Sequence, residues 1–91
     1  MSNLPTLKKA AQIRLMYPPG TRIKLIHMED QYAVPAGTRG SVRYVDDAGQ
    51  IGVAWDNGRS LSLIPGVDSF RKLTQQEVAQ EQGMKMEEIM L

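Results

Sequence analysis

From Thr21 onward, apolar and polar residues alternate with a period of two. Ile23 and Leu25 alternate with Arg22 and Lys24, and Gly40, Val42 and Tyr44 with Arg39, Ser41 and Arg43. Ile51, Val53 and Trp55 alternate with Gly52 and Ala54, and Leu61 and Leu63 with Ser60 and Ser62. Successive side chains of extended backbone point to opposite faces, so each run marks a short strand with one buried and one solvated side. The pattern predicts strands over 21–26, 38–45, 50–55 and 60–64, and a short closing strand over 70–73.

The connections agree with this reading. Asp46-Asp47-Ala48-Gly49 is turn chemistry, and Asp56-Asn57-Gly58-Arg59 contains Asn-Gly, whose residues tolerate positive φ. Segments 50–55 and 60–64 are therefore expected to pair antiparallel. Pro65-Gly66-Val67-Asp68 makes a tight corner, and 27–37 is the longest loop. Short strands joined this way are expected to form a mainly β, five-stranded barrel, because closure removes free edges. Its expected core is Ile23, Leu25, Val42, Tyr44, Ile51, Val53, Trp55, Leu61, Leu63 and Phe70.

Short helices are expected at both ends. Residues 6–16 contain no Gly or Pro, Thr6 is a candidate cap, and Pro18, Pro19 and Gly20 end the run. Thr74-Gln75-Gln76-Glu77 is a capping-box pattern, which starts a helix at Gln75. Val78, Gln82, Met86 and Ile89 fall near one face of it, and Gly83 interrupts it. The chain thus divides into an N-terminal helical extension (1–16), a barrel (17–73) and a C-terminal helical extension (74–91).

Composition narrows the chemistry. The chain has 91 residues, enough for one domain, and no cysteine. Disulfides, thiolate metal sites and thiol nucleophiles are excluded. No segment resembles a signal peptide or a membrane span, so a cytoplasmic location away from membranes is expected. The net charge is +1, unevenly spread. Residues 1–45 hold seven basic and two acidic residues, and residues 46–91 hold four and eight. Such asymmetry suits an anionic partner, or halves that pair with each other.

Four blocks occur in order: Tyr-Pro-Pro-Gly-Thr-Arg-Ile at 17–23, Pro-Ala-Gly-Thr-Arg-Gly-Ser-Val at 35–42, Val-Ala-Trp-Asp-Asn-Gly-Arg-Ser-Leu at 53–61 and Ile-Pro-Gly-Val-Asp-Ser-Phe-Arg at 64–71. Together they resemble the family known as domain of unknown function 4314, small bacterial proteins frequent in Gram-positive genomes and their mobile elements. The resemblance implies an SH3-like barrel over 17–73 and no activity, since the family has no assigned chemistry. Residues 37–42 also look like the strand shared by ribosome- and transcription-associated KOW barrels.

The inventory points away from an enzyme. His27 is the only histidine, at a strand end, with no nucleophile in a recognisable context. Asp46-Asp47 and Glu29-Asp30 lack the further spaced oxygen ligands of a cation site and read as turn carboxylates. No Walker loop or dinucleotide fingerprint is present, and no cofactor, metal or small-molecule substrate is expected.

Three binding surfaces remain. Arg22, Lys24, Arg39 and Arg43 would share an outward strand face able to attract nucleic-acid phosphates, or simply keep that face solvated. Gly52, Ala54, Ser60 and Ser62 form a face of small residues. The apolar side of the second helix (Val78, Met86, Ile89) would pack there within the chain, or against a protein partner or a second copy as a homodimer. Tyr32, Pro35 and Trp55 could floor a loop groove for an extended peptide, although Trp55 is in phase with the core. The expectation is a non-catalytic binding or adaptor module working through protein contacts, with nucleic-acid binding as the alternative.

Overall fold

The computed structural model describes residues 4–90, with side-chain surroundings for 7–83. In chain order the elements are α1 (Leu4–Met16), β1 (Arg22–His27), β2 (Arg39–Val45), β3 (Ile51–Trp55), β4 (Ser69–Lys72) and α2 (Gln75–Met90). The four strands form one antiparallel sheet in the order β3-β2-β1-β4. The fold is mainly β, as the alternation predicts, with a helix at each end.

The sheet is open, which corrects the five-stranded barrel. Residues 60–64 are not a strand; they touch β3 only through isolated bridges, Ile51 with Leu63 and Ala54 with Ser60. The reason lies in the connection. Trp55 N–H donates to the Arg59 carbonyl, and Gly58 N–H to the Trp55 carbonyl, both at 2.9 Å. Only Gly58 takes positive φ, so the loop is a three-residue hairpin rather than the two-residue kind that Asn-Gly favours. Trp55 Nε1–H then donates to the Leu61 carbonyl at 2.9 Å, an acceptor that a continuous ladder would offer to Val53. Among the described residues no ladder joins β4 to this segment, so the sheet does not close.

One face of the sheet carries the core: Ile23, Leu25, Val42, Val45, Ile51, Val53 and Trp55, with Ile13, Met28, Val34 and Leu63 from outside the strands. Leu61 and Phe70 are half-buried against it. Tyr44 is not in it. A register shift between Val42 and Tyr44 turns Tyr44 outward, 55% exposed, and Val45 takes the inward place.

Helix α1 begins at Leu4, ahead of the Thr6 cap the sequence suggested. It buries Ala10 and Ile13 against the β2–β3 turn, where Gly49 at φ 84° leaves room for the Ile13 side chain. Arg14 fastens the contact, donating from Nε to the Val45 carbonyl (3.0 Å) and from Nη2 to Asp47 (2.7 Å). Helix α2 starts with the expected capping box: Glu77 N–H donates to Thr74 Oγ1 (3.1 Å) and Thr74 N–H to Glu77 Oε1 (2.9 Å). It runs on through Gly83.

Candidate interaction surfaces

The sheet face opposite the core is built from arginine. The register sets Lys24 beside Arg39 on β2 and Arg71 on β4, and Arg22 beside Ser41. Helix α2 lays two carboxylates, one helical turn apart, on this face. Glu77 receives a fork from Arg71 (2.7 and 2.9 Å) and lies 3.7 Å from Arg39. Glu81 receives Arg22 (2.9 and 3.1 Å) and Arg39 (3.0 Å). Arg22 also forks onto Asp56 at the hairpin (2.8 and 2.5 Å) and donates to Ser41 Oγ (3.0 Å).

These contacts set the charge states. Hydrogen bonds from Arg71 and the Thr74 amide hold the Glu77 carboxyl far below the usual carboxylate range. Hydrogen bonds from Arg22 and Arg39 depress Glu81 too. Their counterparts rise: Arg22 chiefly through Asp56 and then Glu81, Arg71 through Glu77. Glu77 and Glu81 are thus held as carboxylates, and the arginines of the face are largely neutralised from within the chain. The basic half and the acidic half pair with each other.

Arg22, Lys24 and Arg39 are brought together as expected, and Lys24 makes no ion pair among the described residues. Arg43 is not with them; it stands at the β2 bulge. Arg71 belongs to the face and was missed. Its signal was available, since it alternates with Phe70 and precedes a capping-box glutamate by six residues.

At the bulge, Arg43 and Tyr44 rim a groove of about 320 Å³, lined further by Gly52, Val53, Ser60, Leu61 and Ser62. A Cβ on Gly52 would run into the Tyr44 ring, so that ring occupies the outward space of position 52. The small-residue face of Gly52, Ala54, Ser60 and Ser62 is therefore partly roofed by Tyr44. Helix α2 is anchored over the arginines instead. Val78 is half-buried, and the side chains of Met86 and Ile89 lie outside the described residues.

The expected loop groove does not assemble. Tyr32 is 67% exposed, whereas Trp55 is 3% exposed and sits in the core. Pro35 is exposed on the loop. What holds loop and hairpin together is Arg59, whose guanidinium donates to the carbonyls of Tyr32 and Ala33.

Other polar side chains make contacts within the chain. His27 Nε2 lies 3.2 Å from Glu29 Oε1, both exposed. Asp46 accepts from the Ala48 and Gln50 amides of its own turn (3.0 and 2.8 Å). Asp68, buried, accepts from the amides of Glu29 (2.9 Å) and Ile64 (2.8 Å), and so ties two loops together. Among the described residues no group of three or more His, Cys, Asp or Glu could hold a metal ion, and no helix is long and apolar enough to cross a membrane.

No curated protein and no solved structure matches the chain. A family model does, over residues 6–73, which takes in most of α1 and the whole sheet and stops just before α2. The chain belongs to the family described as Domain of unknown function (DUF4314).

Proposed function

We propose that this protein is a non-catalytic binding module that takes a short segment of a partner protein in the groove beside Tyr44. The observation that carries this reading is the exposed Tyr44 ring held at the rim of a groove of about 320 Å³. That volume is at the lower end for ligand pockets, enough for a few side chains. The chemistry of the wall selects among them. Tyr44 offers a rigid apolar surface with a polar tip, Ser60 and Ser62 offer hydroxyls, and Arg43 offers a charge for a carboxylate. Tyr and Arg are also the residue types that dominate interface energetics. The absence of cysteine fits a cytoplasmic setting for such a contact.

Panning a random peptide library on the full chain tests this. The expected yield is peptides with a carboxylate near a compact apolar residue, bound at least about tenfold more weakly by Tyr44→Ala. A library that enriches nothing, or enriches equally on Tyr44→Ala, overturns the reading.

A further inference from the structure

We infer that the arginine face of the sheet is a second binding site, for the phosphate backbone of nucleic acid, and that α2 covers it as an internal ligand. The inference is independent of the groove, since it uses none of its residues. Three observations carry it.

First, the face already binds anions. Arg22, Arg39 and Arg71 hold the carboxylates of Glu77 and Glu81 by forked, charge-assisted bonds. Arginine forks of this kind accept phosphate oxygens equally well. Second, receptor and cover fall on opposite sides of the end of the family match. The three arginines and Lys24 lie inside the family segment, whereas Glu77 and Glu81 lie beyond its end. Residues 6–73 carry ten basic and six acidic side chains, and residues 74–91 carry one and four. The matched segment is net cationic, and the segment after it carries compensating negative charge. Third, the positions that the register sets among the arginines are polar, Lys24 and Ser41. In the register no aromatic or large apolar residue is paired with them as an anchor for a protein partner, and the exposed Tyr44 lies beyond the β2 bulge, opposite Gly52. Phosphates need no such anchor, and backbone contacts position a strand without reading its sequence.

Release of α2 would free Arg39 and Arg71 of the ion pairs they make among the described residues and Arg22 in part, because Asp56 retains a share of Arg22. Nucleic acid and α2 then compete for the same forks, so each weakens the other to the same extent.

The test uses the full chain and a labelled oligothymidylate of about 20 nucleotides, followed by fluorescence anisotropy at several salt concentrations. Glu77→Gln with Glu81→Gln removes the covering charges; glutamine at 77 still serves the capping box, so α2 is retained. This double variant is expected to bind about tenfold more tightly than wild type, with affinity falling steeply as salt rises. Glu29→Gln with Asp30→Asn makes the same change in net charge away from the face, and is expected to gain less than about twofold. Adding Arg39→Gln and Arg71→Gln to the first variant is expected to abolish its gain. Equal gains from both charge-matched variants would reduce the effect to net charge and overturn the inference. So would a gain that survives loss of the arginines, or no gain at all. A peptide of residues 74–83 that binds the uncovered face while the oligonucleotide does not would overturn it in favour of an acidic protein partner.

Discussion

The ring of Tyr44 occupies the space where a side chain of Gly52 would stand. The two residues face each other across β2 and β3, one step past the bulge that breaks the alternation of β2. Without the bulge Tyr44 would point into the core beside Val42. With it, the ring lies outside, covers the backbone of a strand residue that has no side chain, and forms one wall of the groove.

This pairing makes the effect of a methyl group at position 52 depend on residue 44. Gly52→Ala should expel the ring and cost about 1 kcal/mol, since the obstruction is a movable, half-exposed side chain rather than backbone. In a Tyr44→Ala background the same change meets no ring. It should then be neutral, or stabilising by about 0.5 kcal/mol, because alanine suits a strand interior better than glycine. Urea unfolding of the four chains in this cycle gives the coupling. A cost for Gly52→Ala that stays the same without the ring would contradict the pairing.

The strands were legible in the sequence because one buried face imposes a period of two, and β1, β2 and β3 fall within a residue or two of the expected limits. The bulge was not, since Gly40-Ser41-Val42-Arg43-Tyr44 alternates perfectly and nothing local marks an added residue. The barrel fails to form for a reason equally hidden from the pattern. Leu61 and Leu63 alternate like a strand, but the Trp55 indole takes the Leu61 carbonyl that pairing would need. Of the site, Arg22, Lys24 and Arg39 share the expected face; what the pattern could not show is that Glu77 and Glu81, far along the chain, lie on them. Charge asymmetry allowed that outcome without locating it.

Asp68 supports loops that no strand pattern described. Its two carboxylate oxygens accept from the amides of Glu29, in the β1–β2 connection, and Ile64, in the β3–β4 connection. Asp68→Ala removes both hydrogen bonds and should cost about 1–3 kcal/mol, at about 0.5–1.5 kcal/mol for each bond. Asp68→Asn keeps one oxygen and should cost about half as much. Amide hydrogen exchange is expected to speed up at Glu29 and Ile64 first. Equal stability for the alanine variant would mean that water replaces the carboxylate at no cost.

The anchoring of α2 should be insensitive to pH across the neutral and mildly acid range. Glu77 and Glu81 have folded-state pKa values below those of the unfolded chain, so their contribution is fully present above the ordinary carboxylate range. It is lost only as pH falls through the depressed values. In carboxyl chemical shifts followed from neutral pH downward, Glu77 is expected to stay at its ionised position through the ordinary value of 4.5, and Glu81 to titrate below that value. Half-titration at that value would show that the arginines do not hold these side chains in solution.

Gly40 provides the counterpart to Gly52, with the opposite expectation about its surroundings. A Cβ there would stand 2.7 Å from Val53 Cγ1, 2.8 Å from Trp55 Cε3 and 3.0 Å from the Ala54 carbonyl oxygen. Two of these atoms belong to buried core side chains and the third to the backbone, so none can swing into solvent as Tyr44 can. Gly40→Ala should therefore cost about 1–3 kcal/mol, with no rescue by Tyr44→Ala. The chain has a single tryptophan, so Trp55 fluorescence reports the change directly. A shift of its emission to longer wavelength in the folded variant is expected, as the displaced indole gains water. Unchanged emission with unchanged stability would mean that β2 and β3 can separate locally to admit the methyl, and that their close approach at Gly40 is not what seats Trp55.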